Sequence, residues 1–357
     1  MALNREKSNI YKKEAFASFF LAYFMYNWNM LENDELLGAF IVPTGIGASI
    51  GGFAGDASPY ARKFSKLGKL VVNPNVVNAG VFSGIDDNMF YIEGYSLDEF
   101  FKGNINLKES SNNKIGVIID KSLPENVFNI HLNTINAVNA VYGIDCTTIE
   151  ITDQEVGVEF FVNEQCISMG SVKNIETLKS AGEKLLKNGC NALAIVCLFD
   201  DETNEEYENG IGVDPIGGIE AIISHYISRE LKVPCAHSPA FKDYTIYPKI
   251  VNKKASAEYI TPTFLPCILI ALNNAPYLTS NCGITIDNLD YLVMPANALG
   301  AIPVFEALKR NIKVYAIKEN VTLLNVTNES IHATCGINII DTYSNCLEQI
   351  KNAFKIE

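Results

Sequence analysis

The chain lacks the patterns that would name a chemistry outright. It has nine cysteines in 357 residues. They are odd in number and irregular in spacing, and none forms a C-x-x-C pair. A disulfide framework or a zinc ribbon is therefore not expected. Several lie inside apolar runs, such as Ala194-Ile-Val-Cys197-Leu198, where a thiol serves as a small buried hydrophobe. That usage points to a reducing compartment and a cytoplasmic protein. Histidine is scarce, at four residues, and Trp28 is the one tryptophan. Basic charge is also short: Lys and Arg total 28 against 41 Asp and Glu, a net charge of −13. No basic arm is present. A surface of that sign repels phosphate backbones and anionic lipids, which argues against nucleic acid and membranes as partners. The apolar, aromatic run Ala15–Met30 is too short to span a bilayer, is broken by Asn27 and Asn29, and has no cleavage site. It reads as a buried or partner-facing helix, a surface through which copies of the chain could associate.

What is present is globular: 48% of residues are apolar and 19% charged. The length exceeds what one hydrophobic core usually serves. Buried strands are expected at Leu37–Val42, Leu70–Val72, Lys114–Asp120, Ala192–Phe199, Val233–Ala236, Tyr291–Met294 and Lys313–Ile317, with strand pattern also over 147–162. Helical spacing occupies Ser58 to Gly68, Pro124–Tyr142, Ile175–Leu186, Glu220–Leu231, Pro303–Arg310 and Ser344–Phe354, with a short helix near Leu97–Phe101. Ile268–Asn273 fits either element. Strands alternating with helices predict an α/β fold of mostly parallel sheets covered on both faces, arranged as two Rossmann-like lobes with a cleft between them. The expected organisation is a helical extension over 1–36, a first lobe over 37–145 and a second over 146–357, with C-terminal segments returning to the first. Ligands of such folds sit at the carboxyl ends of the strands.

Two glycine-rich segments follow buried strands. Gly45-Ile-Gly-Ala-Ser-Ile-Gly-Gly52 is echoed by Gly210-Ile-Gly-Val-Asp-Pro-Ile-Gly-Gly218, which suggests duplicated halves facing each other. The first has the order G-x-G-x-x-x-G-G. It is neither a dinucleotide fingerprint nor a P-loop, so no nucleotide or redox cofactor is predicted. Thr44, Gly45, Gly47, Ser49, Gly51 and Gly52 could present backbone N–H groups and hydroxyls to an anionic metabolite, with Asp56 beside them. Asn73 and Asn78 follow the next strand and could orient such a ligand; turn capping is the alternative. In Pro234-Cys-Ala-His237, Cys235 and His237 are two apart, so on a strand they share a side. They and Glu319 are the candidate proton carriers. Asp214, Asn297 and Asn320 are expected beside the same site. The alternative chemistry is a hydrolase or lyase with a divalent metal held by Asp214, His225, Cys235 and His237.

The segments Pro43–Asp56, Asn73–Asn78, Gly212–Pro215, Ser224-His225, Pro234–His237 and Glu319-Asn320 together resemble the domain-of-unknown-function family numbered 3326, over roughly residues 38–345. That resemblance implies kinship and carries no reaction with it. Locally, helix Ile175–Leu186 followed by Gly189–Cys197 is similar to the helix–Gly–strand–Cys unit of aspartate/glutamate racemases, which work with two opposed cysteines. Here Cys197 is followed by Leu-Phe-Asp, and the matching first-half position is Thr44. The expected function is a small-molecule enzyme of isomerase or lyase type that binds an anionic metabolite at the first glycine loop. A non-enzymatic ligand-binding or scaffold protein is the other class.

Overall fold

Buried β-branched runs alternating with amphipathic helices give this chain a mixed α/β fold with parallel sheets and flanking helices. A computed structural model describes residues 35–165, 167–200, 205–246, 248–333 and 335–356. The helical extension expected over 1–36 lies outside the described residues except for its last two, and residues 37–357 make up one unit.

In chain order the strands are β1 (Leu36–Phe40), β2 (Gly68–Val72), β3 (Met89–Tyr91), β4 (Ile115–Ile119), β5 (Thr148–Ile151), β6 (Val158–Val162), β7 (Ser168–Val172), β8 (Ala192–Phe199), β9 (Cys235–Phe241), β10 (Tyr291–Pro295), β11 (Lys313–Ile317) and β12 (Ile337–Ile340). The main helices are α1 (Ser58–Phe64), α2 (Gly94–Lys102), α3 (Glu125–Tyr142), α4 (Glu176–Lys187), α5 (Gly217–Leu231), α6 (Leu265–Asn273), α7 (Ile302–Lys309) and α8 (Tyr343–Phe354).

Two larger sheets form. One has six strands in the order β12-β11-β10-β1-β2-β3, the other four in the order β9-β8-β4-β5. Pairing within the four-stranded sheet is parallel throughout, with Ile195 of β8 in register with Ile118 on one side and His237 on the other. β6 and β7 form a separate antiparallel hairpin. The chain starts in the first sheet, builds the second with β4, β5, β8 and β9, then returns with β10. The boundary expected at 145/146 therefore falls inside the second sheet, because β4 pairs with β5 and β8.

Each sheet is covered on both faces, as strands that read as continuous apolar runs require. On the first sheet, Leu37, Ala39, Leu292, Met294, Val314 and Ala316 pack under α2 and α7. On its other face Phe40 stacks on Tyr343 of α8 with ring centroids 4.9 Å apart and meets Phe64 of α1 edge-on at 5.4 Å. On the second sheet, Ile118, Leu193, Ile195 and Cys197 pack against α4 and α5. Helix α6 lies against β8 and β9, with α3 beside it.

Two elements differ from the sequence pattern for local reasons. Ile268–Asn273 is helical because Leu265-Pro266 opens a helix there, with proline in the first turn where its missing N–H does no harm. The strand expected at Val233–Ala236 runs on through Pro239 to Phe241. β9 is the outer strand of its sheet, where proline is tolerated. His237 is therefore mid-strand.

The register of β1 against β10 sets Gly38 opposite Tyr291, and a β-carbon on Gly38 would sit 2.1 Å from the ring carbon Cζ of that tyrosine. Tyr291 is buried and has no room to retreat. The variant Gly38→Ala is expected to lose roughly 1–3 kcal/mol of stability through overpacking. Thermal melting of the two proteins checks this, and an unchanged midpoint would show that the ring does not lie over Gly38.

Candidate functional site

Strands of both larger sheets deliver residues at their carboxyl ends to one cavity of about 540 Å³. Ile41, Pro43 and Thr44 arrive from β1, Asn73 and Asn78 after β2, Asp200 from the end of β8, and His237, Pro239 and Phe241 from β9. Helix α5 adds Glu220, Ser224 and His225, and the segment before α6 adds Glu258, Tyr259 and Phe264.

The two glycine segments meet beside this cavity. A β-carbon on Gly45 would stand 3.6 Å from the backbone nitrogen of Gly218, and one on Gly217 would stand 3.0 Å from the Thr44 methyl. Ser168 ties the junction, donating to the Pro215 carbonyl at 2.6 Å and accepting from the Gly218 N–H at 2.8 Å. Gly45, Gly47 and Gly51 have positive φ, and a side chain on Gly47 or Gly51 would strike Leu323 or Val42. These glycines serve close packing.

Amides in the second half of the first loop are held by the protein itself. Gly51 and Phe53 donate to Asp56, Ala54 to Glu258, Ile50 to Asn320, and Ser49 to the Val321 carbonyl. The asparagines are structural in the same way. Asn73 clamps the N–H and carbonyl of Val42, and Asn75 donates to the carbonyls of Pro43 and Gly51. Asn78 accepts from the Tyr91 hydroxyl at 3.2 Å.

The C-terminal loops hold this arrangement from outside. Asn320 donates to the Ile50 carbonyl and the Tyr343 hydroxyl. Asn297 donates to the carbonyls of Thr322 and Leu324. Glu319 accepts from the N–H of Tyr343 at the start of α8. Among the sequence candidates, Thr44, Gly52, Asn73, Asn78, Asp214, His225 and His237 line the cavity. Gly45, Gly47, Ser49, Gly51, Asp56, Cys235, Asn297, Glu319 and Asn320 stand outside it.

An imidazole and a carboxylate of the lining lie within hydrogen-bonding distance of each other. His237 Nε2 lies 3.1 Å from Glu220 Oε1, and each side chain is 13% exposed. Nδ1 of His237 is buried and has no hydrogen-bond partner among the described residues. His225 faces a different acid, with Nε2 3.8 Å from Glu93 Oε2. Glu93 is fixed by the N–H groups of Tyr95 and Ser96 at the start of α2. Burial holds His225 below the usual imidazole range; Glu93 opposes this and His237 adds to it.

Other carboxyl groups in and beside the lining are shifted by burial. Burial pushes Asp214 well above the carboxylate range, and the charges of Glu220 and Glu258 push it further. Burial raises Glu258 to about 7, although Ala54 N–H and the Tyr207 hydroxyl both donate to it at 2.8 Å. Asp56 is raised to about 6 by burial, against the N–H groups of Gly51 and Phe53 and the charge of Lys254. Burial also raises Asp98, at the α2 side of the lining, to about 6.

Cys235 does not join His237. Its thiol is buried in the core beneath α5, donates to the Ser224 carbonyl at 3.1 Å and is pushed well above its ordinary value by burial. Both side chains face α5, as the two-residue spacing implies, Cys235 meeting Ser224 and His237 meeting Glu220, but of the two only His237 lies far enough along the strand to line the cavity. Of the metal set expected as the alternative, Asp214, His225 and His237 line the cavity and Cys235 does not, and among the described residues no cluster of three or more His, Cys, Asp or Glu is placed to hold a metal ion. Cys197 lies in the same apolar core, outside the cavity.

Glu220 and Glu258 are the residues that sequence reading passed over. Glu220 was visible in the first turn of the helix after the second glycine segment. Its partner, however, comes from the following strand, and only the α5–β9 crossover brings them together. Glu258 sits in a stretch without periodicity, so nothing in the sequence marked it.

The fold and the cavity together define an α/β protein with a carboxylate-lined pocket at the strand ends. The chain belongs to the protein family of unknown function DUF3326, whose model matches residues 38–352. It is 35% identical over 302 residues to an uncharacterised lipoprotein of Synechococcus sp., covering 82% of this chain and 84% of that protein. No solved structure matches the chain. A lipoprotein among the relatives overturns the cytoplasmic assignment read from cysteine usage. Among the described residues no helix is long and apolar enough to cross a membrane.

Proposed function

We propose that this protein is an enzyme of isomerase or lyase type, in which two Rossmann-like lobes meet at the cavity and a small molecule is bound there. The observation that carries the reading is the His237–Glu220 pair, 3.1 Å apart, in a cavity that also holds the buried carboxyl Asp214. Two acidic groups in such different settings divide the labour of acid–base catalysis. Glu220 and His237 take up and return a proton. Asp214, whose carboxyl burial raises well above the ordinary carboxylate range, is the second acidic group beside the pair. Cys235 and Glu319 have no place in this chemistry, because neither lines the cavity. The racemase likeness contributes no second cysteine.

The test is exchange. Protein in D₂O with pools of small polar metabolites is expected to place deuterium on carbon in one component or to convert it, as read by mass spectrometry. Pools that raise the melting temperature but show neither exchange nor conversion would leave a binding protein and overturn the enzymatic reading.

A further inference from the structure

We propose that the molecule this cavity takes is an organic cation, an amine or quaternary ammonium carried on a compact apolar body. This deepens the enzymatic reading and rests on the same cavity, but it is tested by binding alone. The lining carries Asp98, Asp200, Asp214, Glu220, Asp243 and Glu258, and no lysine or arginine among the described residues. At the rim, Asp200 already has Lys242 at 3.4 Å. Asp214, Glu220 and Glu258 form no ion pair with lysine or arginine among the described residues. Lys254, whose charge reaches Asp56, is tied elsewhere: its ammonium donates to the Ser49 carbonyl at 2.6 Å and lies over the Phe53 ring. Asp214 and Glu258, buried acids in the lining that form no ion pair with lysine or arginine among the described residues, are matched by a ligand of the opposite sign.

The walls decide what kind of cation. Phe53, Phe160, Phe241 and Phe264 line the cavity together with Tyr207, whose ring stacks on Phe53 at 4.6 Å between centroids. Aromatic faces attract ammonium groups and their carbon skeletons. A bare divalent metal needs oxygens converging within bonding distance. No such cluster is present among the described residues, and an organic cation fits carboxylates spread around an aromatic space. An anionic ligand, as expected from the first glycine loop, would meet carboxyl groups in the lining, and the amides of Gly51, Phe53 and Ala54 already hold Asp56 and Glu258.

Calorimetric titration of the full chain at pH 7 with butylamine, 1,4-diaminobutane and tetramethylammonium, against butyrate, succinate and butanol of matched size, tests this. Saturable binding of at least one cation is expected, with none by the carboxylates. Binding should release protons, seen as a heat that changes between phosphate and Tris buffers. Asp214→Asn and Glu258→Gln, each checked for folding by melting temperature, should weaken the cation at least tenfold. Binding of the carboxylates, binding of calcium or magnesium in preference to amines, or affinity unchanged in both folded variants would each overturn the cationic assignment. Those outcomes leave the proton-transfer reading standing. That reading fails separately, if a bound ligand shows no exchange or conversion.

Discussion

With His237 replaced by Asn, or Glu220 by Gln, turnover is expected to fall by about 10²–10⁴-fold, the usual contribution of a positioned acid–base group. The melting temperature should move little. His237 sits on an outer strand facing the cavity, and its Nδ1 has no partner to lose among the described residues. Glu220 is in the first turn of α5, where glutamine is also accommodated. The loss should fall on kcat more than on KM, because the pair acts when the proton moves and not when the ligand docks. The double variant should be little worse than the worse single one, since each residue acts through the other. Cys235→Ser and Glu319→Gln should keep kcat within a few-fold, although each removes a buried or capping contact. Retained turnover in both His237 and Glu220 variants, or loss confined to Cys235→Ser, would move the chemistry elsewhere.

The alternation of strands and helices could be read because buried parallel strands are continuous apolar runs and the helices between them are amphipathic. Ala192–Phe199 and Glu125–Tyr142 stood out for that reason. Met89–Tyr91 and Ile337–Ile340 did not, being short strands at the two ends of the six-stranded sheet, where few residues set a period. A return of C-terminal segments to the first lobe was expected, but the strand with which they pair there is not written in any local pattern. It is β1, some 250 residues before β10, with Gly38 opposite Tyr291.

Thr44 and His237 were expected to share a cavity, and the structure places both in its lining. What glycine count could not show is where the N–H groups point. Asp56 lies five residues after Gly51 and folds back to accept from it, and Glu258 reaches in from a distant segment. A loop rich in glycine thus became a holder of the chain's own carboxylates. The same local sequence with Lys at 56 would have left those amides open to a ligand.

Replacing Glu258 by Gln is expected to leave stability almost unchanged near pH 4.5 and to raise it progressively toward pH 8. An unfolded glutamate ionises near 4.5, whereas burial delays Glu258 to about 7 in the folded chain. Between those values the folded protein holds a proton that the unfolded chain has released. The stabilising contribution is therefore complete below 4.5 and is lost as pH rises through 7. The loss amounts to roughly 3 kcal/mol by pH 8. Glutamine keeps a carbonyl oxygen for the Ala54 N–H and the Tyr207 hydroxyl and has nothing to ionise, so the variant escapes the decline. Melting curves of both proteins from pH 4.5 to 8 should diverge by about 5 °C at the alkaline end. Parallel curves would mean that Glu258 ionises as an ordinary surface acid and that the carboxyl cluster is open to water. Retaining a destabilising acid at this position makes sense only if its charge is used. The variant that gains stability should then be the one that loses its hold on an ammonium ligand, the trade expected where a binding group is kept against the interest of the fold.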